Sequence, residues 1–537
     1  MRQFHLKNDS TYFLFKKIKF IAIAIIIVSS CMLLAKFTNA KSLFPSVLKV
    51  PEVIFSLFKF FMPNVESFKY LHDIAHSYYR SCLVAISSTV LATFVALIFA
   101  LLSANLTKRG FFLPIMIRFF ASLCRNIPLP AWVILFLFSF GQNEFTGFLV
   151  LFTVTLGTLT RIFRELIEST SNDSFIACTA CGASYTSAII HGILPNIEGQ
   201  VISWLLYALA TNIRDVALVG ILTGSGIGFL FTLFFRSFRY GVAGLVIVVM
   251  TTTVIIFDLL SKKMRHFMLS SDALEHSTKL KRYLSRVLFS FLLFVSILSL
   301  FFIKTDHNSI FKMLASLFEN IKAMFFQIIP LSPMLKPSLL VSCCVSIALA
   351  FLSTILSSLI AIPIAMLNTS FLFRTKAIGM IIEVFFSFMR SIPTIIWVML
   401  FSVCLGVGAT ATIIGISLHS IAYLIYAFSM SFDSKASNIS TALTATGASA
   451  FVIFFKAVLP SSLKDILSWT FFRFEINFMN AVALGSAAGA GGIGYELFIA
   501  GSMEFDIQSV GTITYTLLAV SLLLESISSQ IKKRMQL

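Results

Sequence analysis

The chain has 537 residues, 58% of them hydrophobic and only 12% charged, whereas soluble domains carry about 25% charged residues. That composition excludes an ordinary soluble fold and points to the bilayer. The balance of 41 Lys and Arg against 23 Asp and Glu does not indicate nucleic acid, because the basic residues fall in short clusters between long apolar runs, the pattern that orients a membrane protein.

In chain order, Lys16, Lys17 and Lys19 precede the apolar run Phe20 to Leu34. Lys36 and Phe37 stand where a small-residue cleavage site would lie, so the run reads as a retained first span and not as a signal peptide. A helix needs roughly 20 apolar residues to cross the bilayer. By that measure candidate spans lie at 20–37, 79–104, 111–140, 145–164, 199–222 and 240–260, and again at 286–303, 340–367, 376–404, 406–429, 465–484 and 507–527. The segments 111–140 and 376–404 contain Pro128, Pro130 and Pro393, so each is a kinked span or a span plus a short surface helix. The expectation is an all-α polytopic protein of about twelve spans. Basic clusters in Met1–Lys19, around Lys262 to Arg282 and at Lys532 to Arg534 place both termini and the central linker on the cytoplasmic side. The eight cysteines form no disulfide framework, and the lone Cys178–Cys181 pair lacks the partners of a metal site. No cofactor is expected.

An internal repeat is the strongest signal. Arg125-Asn-Ile-Pro128 recurs 265 residues later as Arg390-Ser-Ile-Pro393. The same offset pairs Trp132 with Trp397, Gly182-Ala183-Ser184 with Gly447-Ala448-Ser449, Pro195 with Pro460, Trp204 with Trp469 and Asn212 with Asn477. The register slips by one in the glycine loop, where Gly226-Ile-Gly228 meets Gly492-Ile-Gly494. An even number of spans per half makes the two repeats parallel. The boundaries read as 1–77 for the N-terminal tail, first span and external segment, 78–262 for the first module, 263–337 for linker, span and external segment, 338–530 for the second module, and 531–537 for a basic cytoplasmic tail.

Each half carries one cytoplasmic pattern: small residues around Ala177 or Ala442, the Gly-Ala-Ser step, then Leu-Pro. It reads as two short helices joined at Gly182 or Gly447 and stopped at Pro195 or Pro460, suited to docking two copies of a partner; the plainer reading is a loop between spans. This segment resembles the EAA coupling loop of permeases of binding-protein-dependent ABC importers. The Arg-x-Ile-Pro then Trp run, and Arg473-Phe-Glu475-Ile-Asn477 leading into Gly489 to Gly494, make the chain similar to the phosphonate-type permeases. The resemblance covers roughly 78–262 and 338–530. It implies two cytoplasmic ABC ATPase subunits, an external or periplasmic solute-binding protein, and an anionic solute: phosphonate, another phosphorus oxyanion or an organophosphate. It departs from the family at Ile176 and Thr441, where a glutamate is expected, and at Thr179 and Thr444, where a basic residue is common. The halves also differ from one another. Half one keeps Arg214 where half two has Met479, and half two has Arg473 and Glu475 where half one has Ala208 and Ala210.

Charges inside apolar segments are costly and tend to serve function. Arg125, Arg214, Arg390, Arg473 and Glu475, with Asn212 and Asn477, form the candidate solute path, since guanidinium binds phosphorus oxyanions bidentately; structural ion pairs or snorkelling are the alternatives. Arg118 and Glu383 occupy equivalent positions with opposite sign, which suggests a pair across the pseudo-symmetry axis or two solvated side chains. The loops at Gly226, Gly228, Gly492 and Gly494 read as an outer gate or a turn. No P-loop is present and no catalytic constellation stands out, so the chain is expected to be a transport channel subunit and not an enzyme. The competing class is an ion-gradient-driven transporter with two six-span halves, which has no need of the paired Gly…Pro loops.

Overall fold

The computed structural model describes residues 29–38, 40, 43–107, 110–169, 173–269, 275–303, 310–327, 337–369, 376–444, 447–485 and 489–536. The expected basic tail 1–19 and most of the expected first span lie outside them; residues 29–37 are helical. Among the described residues there is helix and no strand.

Helices α1 (Leu43–Leu48) and α2 (Val50–Phe61) precede the first module. That module comprises α3 (Leu71–Ser103), α4 (Phe112–Asn126), α5 (Leu129–Phe140), α6 (Glu144–Ser169), α7 (Asp173–Ala180), α8 (Tyr185–Ala188), α9 (Leu194–Thr223), α10 (Gly226–Arg236) and α11 (Tyr240–Leu269). Next come α12 (Glu275–Leu300) and α13 (Ile310–Phe326). The second module repeats the first as α14 (Pro337–Leu367), α15 (Lys376–Ser391), α16 (Thr394–Leu405), α17 (Ala409–Thr444), α18 (Ala450–Ile453), α19 (Leu459–Leu484), α20 (Ile493–Phe498) and α21 (Ile507–Gln536).

Seven helical stretches among the described residues are long and apolar enough to cross a membrane, and nine if each of two bent pairs counts as one span. The expected span 286–303 appears as the shorter apolar stretch Arg286–Leu300. The expected span 465–484 lies in α19, which is helical throughout but, carrying Arg473 and Glu475, is not among the seven.

The prolines produce bent pairs. Helix α4 meets α5 at 98°, and α15 meets α16 at 87°. Ile127, before Pro128, is extended at φ −75°, ψ 123°, as the proline ring requires of its predecessor. Helix α4 then buries Ile117, Ala121 and Cys124 and exposes Phe112, Met116, Phe119 and Phe120. Helix α5, by contrast, is buried along most of its length.

The modules share one frame. Arg80 near the start of α3 bonds Glu144 at the start of α6 at 2.5 and 2.6 Å, and the Asn105 N–H just past α3 donates to Glu168 near the end of α6 at 3.1 Å. The two helices are therefore parallel, and the elbow α4–α5 must return the chain between them. In half two, Ser417 Oγ donates to Ser353 O and Ser429 Oγ to Ala365 O, each at 3.2 Å, so α14 and α17 are parallel too.

The repeat reaches beyond the stretch in which sequence motifs display it. Helix α2 crosses α11 at Gly244, where an added Cβ would stand 1.7 Å from Phe61 O. Helix α13 crosses α21 at Gly511, where a Cβ would stand 2.0 Å from Met324 O. Gly244 and Gly511 are 267 residues apart, and both serve the close backbone approach that small residues permit between membrane helices.

Candidate functional site

Two ends can be told apart. The glycine end holds the turns before α10 and α20; the opposite end, called the coupling end after the sequence expectation, holds α7, α8 and α18. At the glycine end the Ile227 N–H donates to Ser81 Oγ at 2.9 Å, and the Ile493 N–H to Ser346 Oγ at 3.0 Å. A Cβ on Gly226 or Gly492 would approach those hydroxyls to 2.4 Å. A Cβ on Gly228 would stand 2.0 Å from Ala217 O, and one on Gly494 1.9 Å from Val482 O. Gly226 and Gly492 also have positive φ, 61° and 81°, which only glycine adopts freely. Of the two readings of these loops, the packing fits a tight, anchored turn.

At the coupling end, Gly182 and Gly447 have φ of 80° and 76° with nothing within 4 Å of an added Cβ. In half one the Gly182 N–H bonds Thr179 O and the Ala183 N–H bonds Cys178 O, both at 3.0 Å, closing α7 with a left-handed cap. Ser184 and Ser449 stand at the N-caps of α8 and α18, and Pro195 and Pro460 lie in the first turn of α9 and α19. Ile176 and Ile190 are exposed in half one, and Phe451, Val452 and Phe455 in half two. Helix α17 runs from Ala409 to Thr444, through the positions that correspond to α7; in half one α6 is described to Ser169 and α7 from Asp173. Ala442 belongs to α17; Ala177 lies exposed on α7, and Ala183 and Ala448 follow their glycines half-buried.

Midway between the ends each module contains the same buried polar node. Asn212 Nδ2 donates to Thr89 Oγ1 and Thr155 Oγ1, both at 2.8 Å. Asn477 Nδ2 donates to Thr354 Oγ1 at 2.9 Å, and its Oδ1 accepts from Ser420 Oγ at 2.9 Å. Each node ties three spans together, and neither Asn212 nor Asn477 is in the wall of the central cavity. Half two adds one element: Arg473, 3% exposed, donates from Nε to Ser420 Oγ at 2.9 Å and lies 5.3 Å from the Tyr423 ring centroid.

That arginine faces a cavity of about 730 Å³ between the modules. Arg214, Arg390, Arg473, Lys262 and Arg265 line it, against Asp215 and Asp258, with Tyr207, His419, Tyr423 and Trp469 among the remaining walls. Arg390 Nη2 bonds Asp258 Oδ2 at 3.0 Å, and Lys262 lies 3.6 Å from the same oxygen. Arg214 and Arg473 make no ion pair among the described residues; Arg214 has only a 3.3 Å bond to Thr211 Oγ1, and Arg473 Nη2 has no hydrogen-bond partner. Three of the four arginines expected on a path thus meet in one cavity, drawn from both halves. Glu475 is not in its wall.

Arg125 goes elsewhere. It bonds Glu525 on α21 at 2.7 and 2.8 Å, and Arg161 reaches the same carboxylate at 2.7 Å. The two Arg-x-Ile-Pro arginines therefore make mirrored bridges: Arg125 to Glu525 of half two, Arg390 to Asp258 of half one. Arg118 and Glu383, read either as a pair or as two separate side chains, have separate surroundings. Arg118 caps the end of α3, donating to Ser103 O at 3.0 and 2.5 Å and to Asn105 Oδ1 at 2.9 Å, because the last carbonyls of a helix lack internal partners and attract cations. Glu383 is exposed beside Arg390.

Sequence reasoning misses Asp258 and Glu525. They are equivalent, but 267 residues apart, because the insertion around the glycine loops shifts the register after it. Each is the lone acid within an apolar last span, and that is the signal by which they could have been found. Among the described residues no group of His, Cys, Asp and Glu could hold a metal ion.

Two pseudo-symmetric helical modules, each with an elbow, a buried polar node and a glycine-capped helix pair at one end, enclosing a charged cavity, define a polytopic permease. The family described as "binding-protein-dependent transport system inner membrane component" matches residues 92–266 and 357–536. The chain belongs to that family: it is the permease component of an ABC importer and a multi-pass inner-membrane protein, and membership implies ATPase and binding-protein partners. It is 23% identical over 458 residues to a phosphate-import permease protein, PhnE, of Mycolicibacterium smegmatis, covering 85% of this chain and 84% of that protein. It is 31% identical over 120 residues to the putative cryptic phosphonate transport system permease protein PhnE2 of Escherichia coli, covering 22% of this chain and 98% of that one. It is 30% identical over 146 residues to the phosphite transport system permease protein PtxC of Stutzerimonas stutzeri, covering 27% and 52%.

Proposed function

We propose that the chain carries a phosphorus oxyanion, phosphonate, phosphite, phosphate or an organophosphate, through the cavity between its modules. The observation that carries the reading is the cavity itself: five cationic side chains against two carboxylates, with Arg214 and Arg473 left without an ion pair. Arg473 is buried with Nη2 unpartnered and, among the described residues, no carboxylate at ion-pair distance, which is costly, and a tetrahedral oxyanion supplies the missing acceptors in the fork geometry that Arg favours. The names of the relatives, which span phosphate, phosphonate and phosphite, agree with that shared chemistry.

In this reading the coupling end is cytoplasmic. Both termini and the linker lie there, and the modules are bounded at 78–262 and 338–530. Two ATPase subunits dock at the helix pairs framed by Gly182 and Pro195 and by Gly447 and Pro460. With Ile176 and Thr441 in place of glutamates, docking rests on the exposed apolar side chains more than on ion pairs. ATP binding draws the subunits together, the helix pairs move with them, and the cavity changes the end to which it opens. An external binding protein delivers the solute at the glycine end. Uptake of labelled methylphosphonate, phosphite and phosphate, measured in cells making the chain with its ATPase and binding protein, tests the assignment. At least one should accumulate in an ATP-dependent manner, and accumulation of only cationic or neutral solutes would overturn it.

A further inference from the structure

A second charged cavity, of about 350 Å³, lies at the coupling end of half one, away from the central one. Arg118, Arg125, Arg161 and Arg164 line it with Glu165 and Glu525. Both glutamates already hold arginines: Glu525 holds Arg125 and Arg161, and Glu165 holds Arg161 at 2.8 Å. Arg118 has only neutral oxygens as partners, and the half-buried Arg164 makes no hydrogen bond or ion pair among the described residues. Two guanidiniums thus lack a counter-charge in one half-enclosed pocket.

The other half supplies the contrast. The equivalent pocket there, between Arg390, Glu383 and Tyr426, holds about 30 Å³, room for about one water molecule. Positions 161 and 164 correspond to Tyr426 and Ser429, and Arg118 corresponds to Glu383. The cationic pocket is therefore a feature of half one alone, and the shared architecture does not require it.

We propose that this pocket is a binding site for a phosphate group, held chiefly by Arg164 and Arg118, and separate from the solute path. Its place favours a lipid headgroup as the source. It sits where α3 and α6 end, at headgroup level for helices that span, beside an α4 face exposing Phe112, Phe119 and Phe120 at 73%, 64% and 45%. Anionic headgroups are recognised by basic pockets between membrane helices in this position. A free phosphate would use the same guanidinium forks.

The full chain, purified without its ATPase, tests the site in nanodiscs of phosphatidylcholine with and without phosphatidylglycerol, and by calorimetric titration with inorganic phosphate. Wild type should retain phosphatidylglycerol over phosphatidylcholine by native mass spectrometry, or bind inorganic phosphate. Arg164→Gln should weaken whichever binds by about tenfold, a loss of about 1.4 kcal/mol, while Arg236→Gln, exposed at the end of α10 and in neither cavity, leaves it unchanged. Lipid retention without phosphate binding assigns the headgroup; the converse assigns the free ion. Should Arg164→Gln fail to insert, Arg164→Lys keeps the charge, loses the fork, and should show a smaller loss. The proposal is overturned if wild type binds neither probe, if the Arg164 variants bind as wild type does, or if only Arg473→Ala loses binding. That last result would move the anion to the central cavity and leave the solute reading standing.

Discussion

The two halves agree in frame and differ in charge. Their nodes correspond residue for residue, Thr89, Thr155 and Asn212 against Thr354, Ser420 and Asn477, and their last spans each send one acid to the other half's arginine. Yet half two places Arg473 on its node, where half one has Ala208, and half one opens a pocket with Arg161 and Arg164, where half two has Tyr426 and Ser429. The contacts that fasten spans together are kept in both halves, whereas the charges lining the two cavities differ between them. In a membrane the fastening must come from close backbone approach and interhelical hydrogen bonds, because lipid tails give apolar side chains no reason to pair. Those are the features the halves retain.

The largest expected effect lies at the coupling loops. Gly182→Trp and Gly447→Trp each force a bulky residue into positive φ on a surface proposed to meet the ATPase. Both should insert, and transport should fall on the order of tenfold or more, within the range of allosteric coupling energies. Uptake set against ATP hydrolysis checks this. Intact transport in both variants with the ATPase still bound would remove the coupling assignment.

A smaller effect is expected at the nodes. Asn212→Leu should cost about 1 kcal/mol and Asn477→Leu somewhat more, within the ~0.6–1.7 kcal/mol measured for interhelical hydrogen bonds in membranes. The excess arises because Ser420, freed from Asn477, no longer holds Arg473 in place. Denaturant titration in detergent would reveal it. Equal costs would mean that the arginine is held by its own surroundings, Tyr423 above all.

Much of the frame is legible in sequence, and for a physical reason. Apolar runs, prolines that break helices and glycines that close them are local signals, so the modules, the elbows at Pro128 and Pro393 and the caps at Gly182 and Gly447 can be read directly. The 265-residue register links the tryptophans and both Arg-x-Ile-Pro runs. It conceals the equivalence of the two last spans, because beyond the glycine loops the offset becomes 267 and Asp258 meets Glu525. The partners of Arg125 and Arg118 are also illegible, since each is set by packing between distant segments. The polar nodes cannot be picked out because Ser and Thr are abundant on every span, and most simply bond the carbonyl four residues back, as Thr93 does with Thr89. Arg214, Arg390 and Arg473 are recognisable as unusual, but only the fold brings them into one cavity.

The central claim is that solute passes between the halves under charges that the halves do not share. Uptake by Arg214→Met and Arg473→Ala measures it most directly, because each variant installs the residue the other half already has, Met479 and Ala208, and should therefore fold. The account predicts uptake of the phosphorus oxyanion well below wild type in both, with insertion and basal ATP hydrolysis close to normal. Uptake equal to wild type in both variants would contradict it.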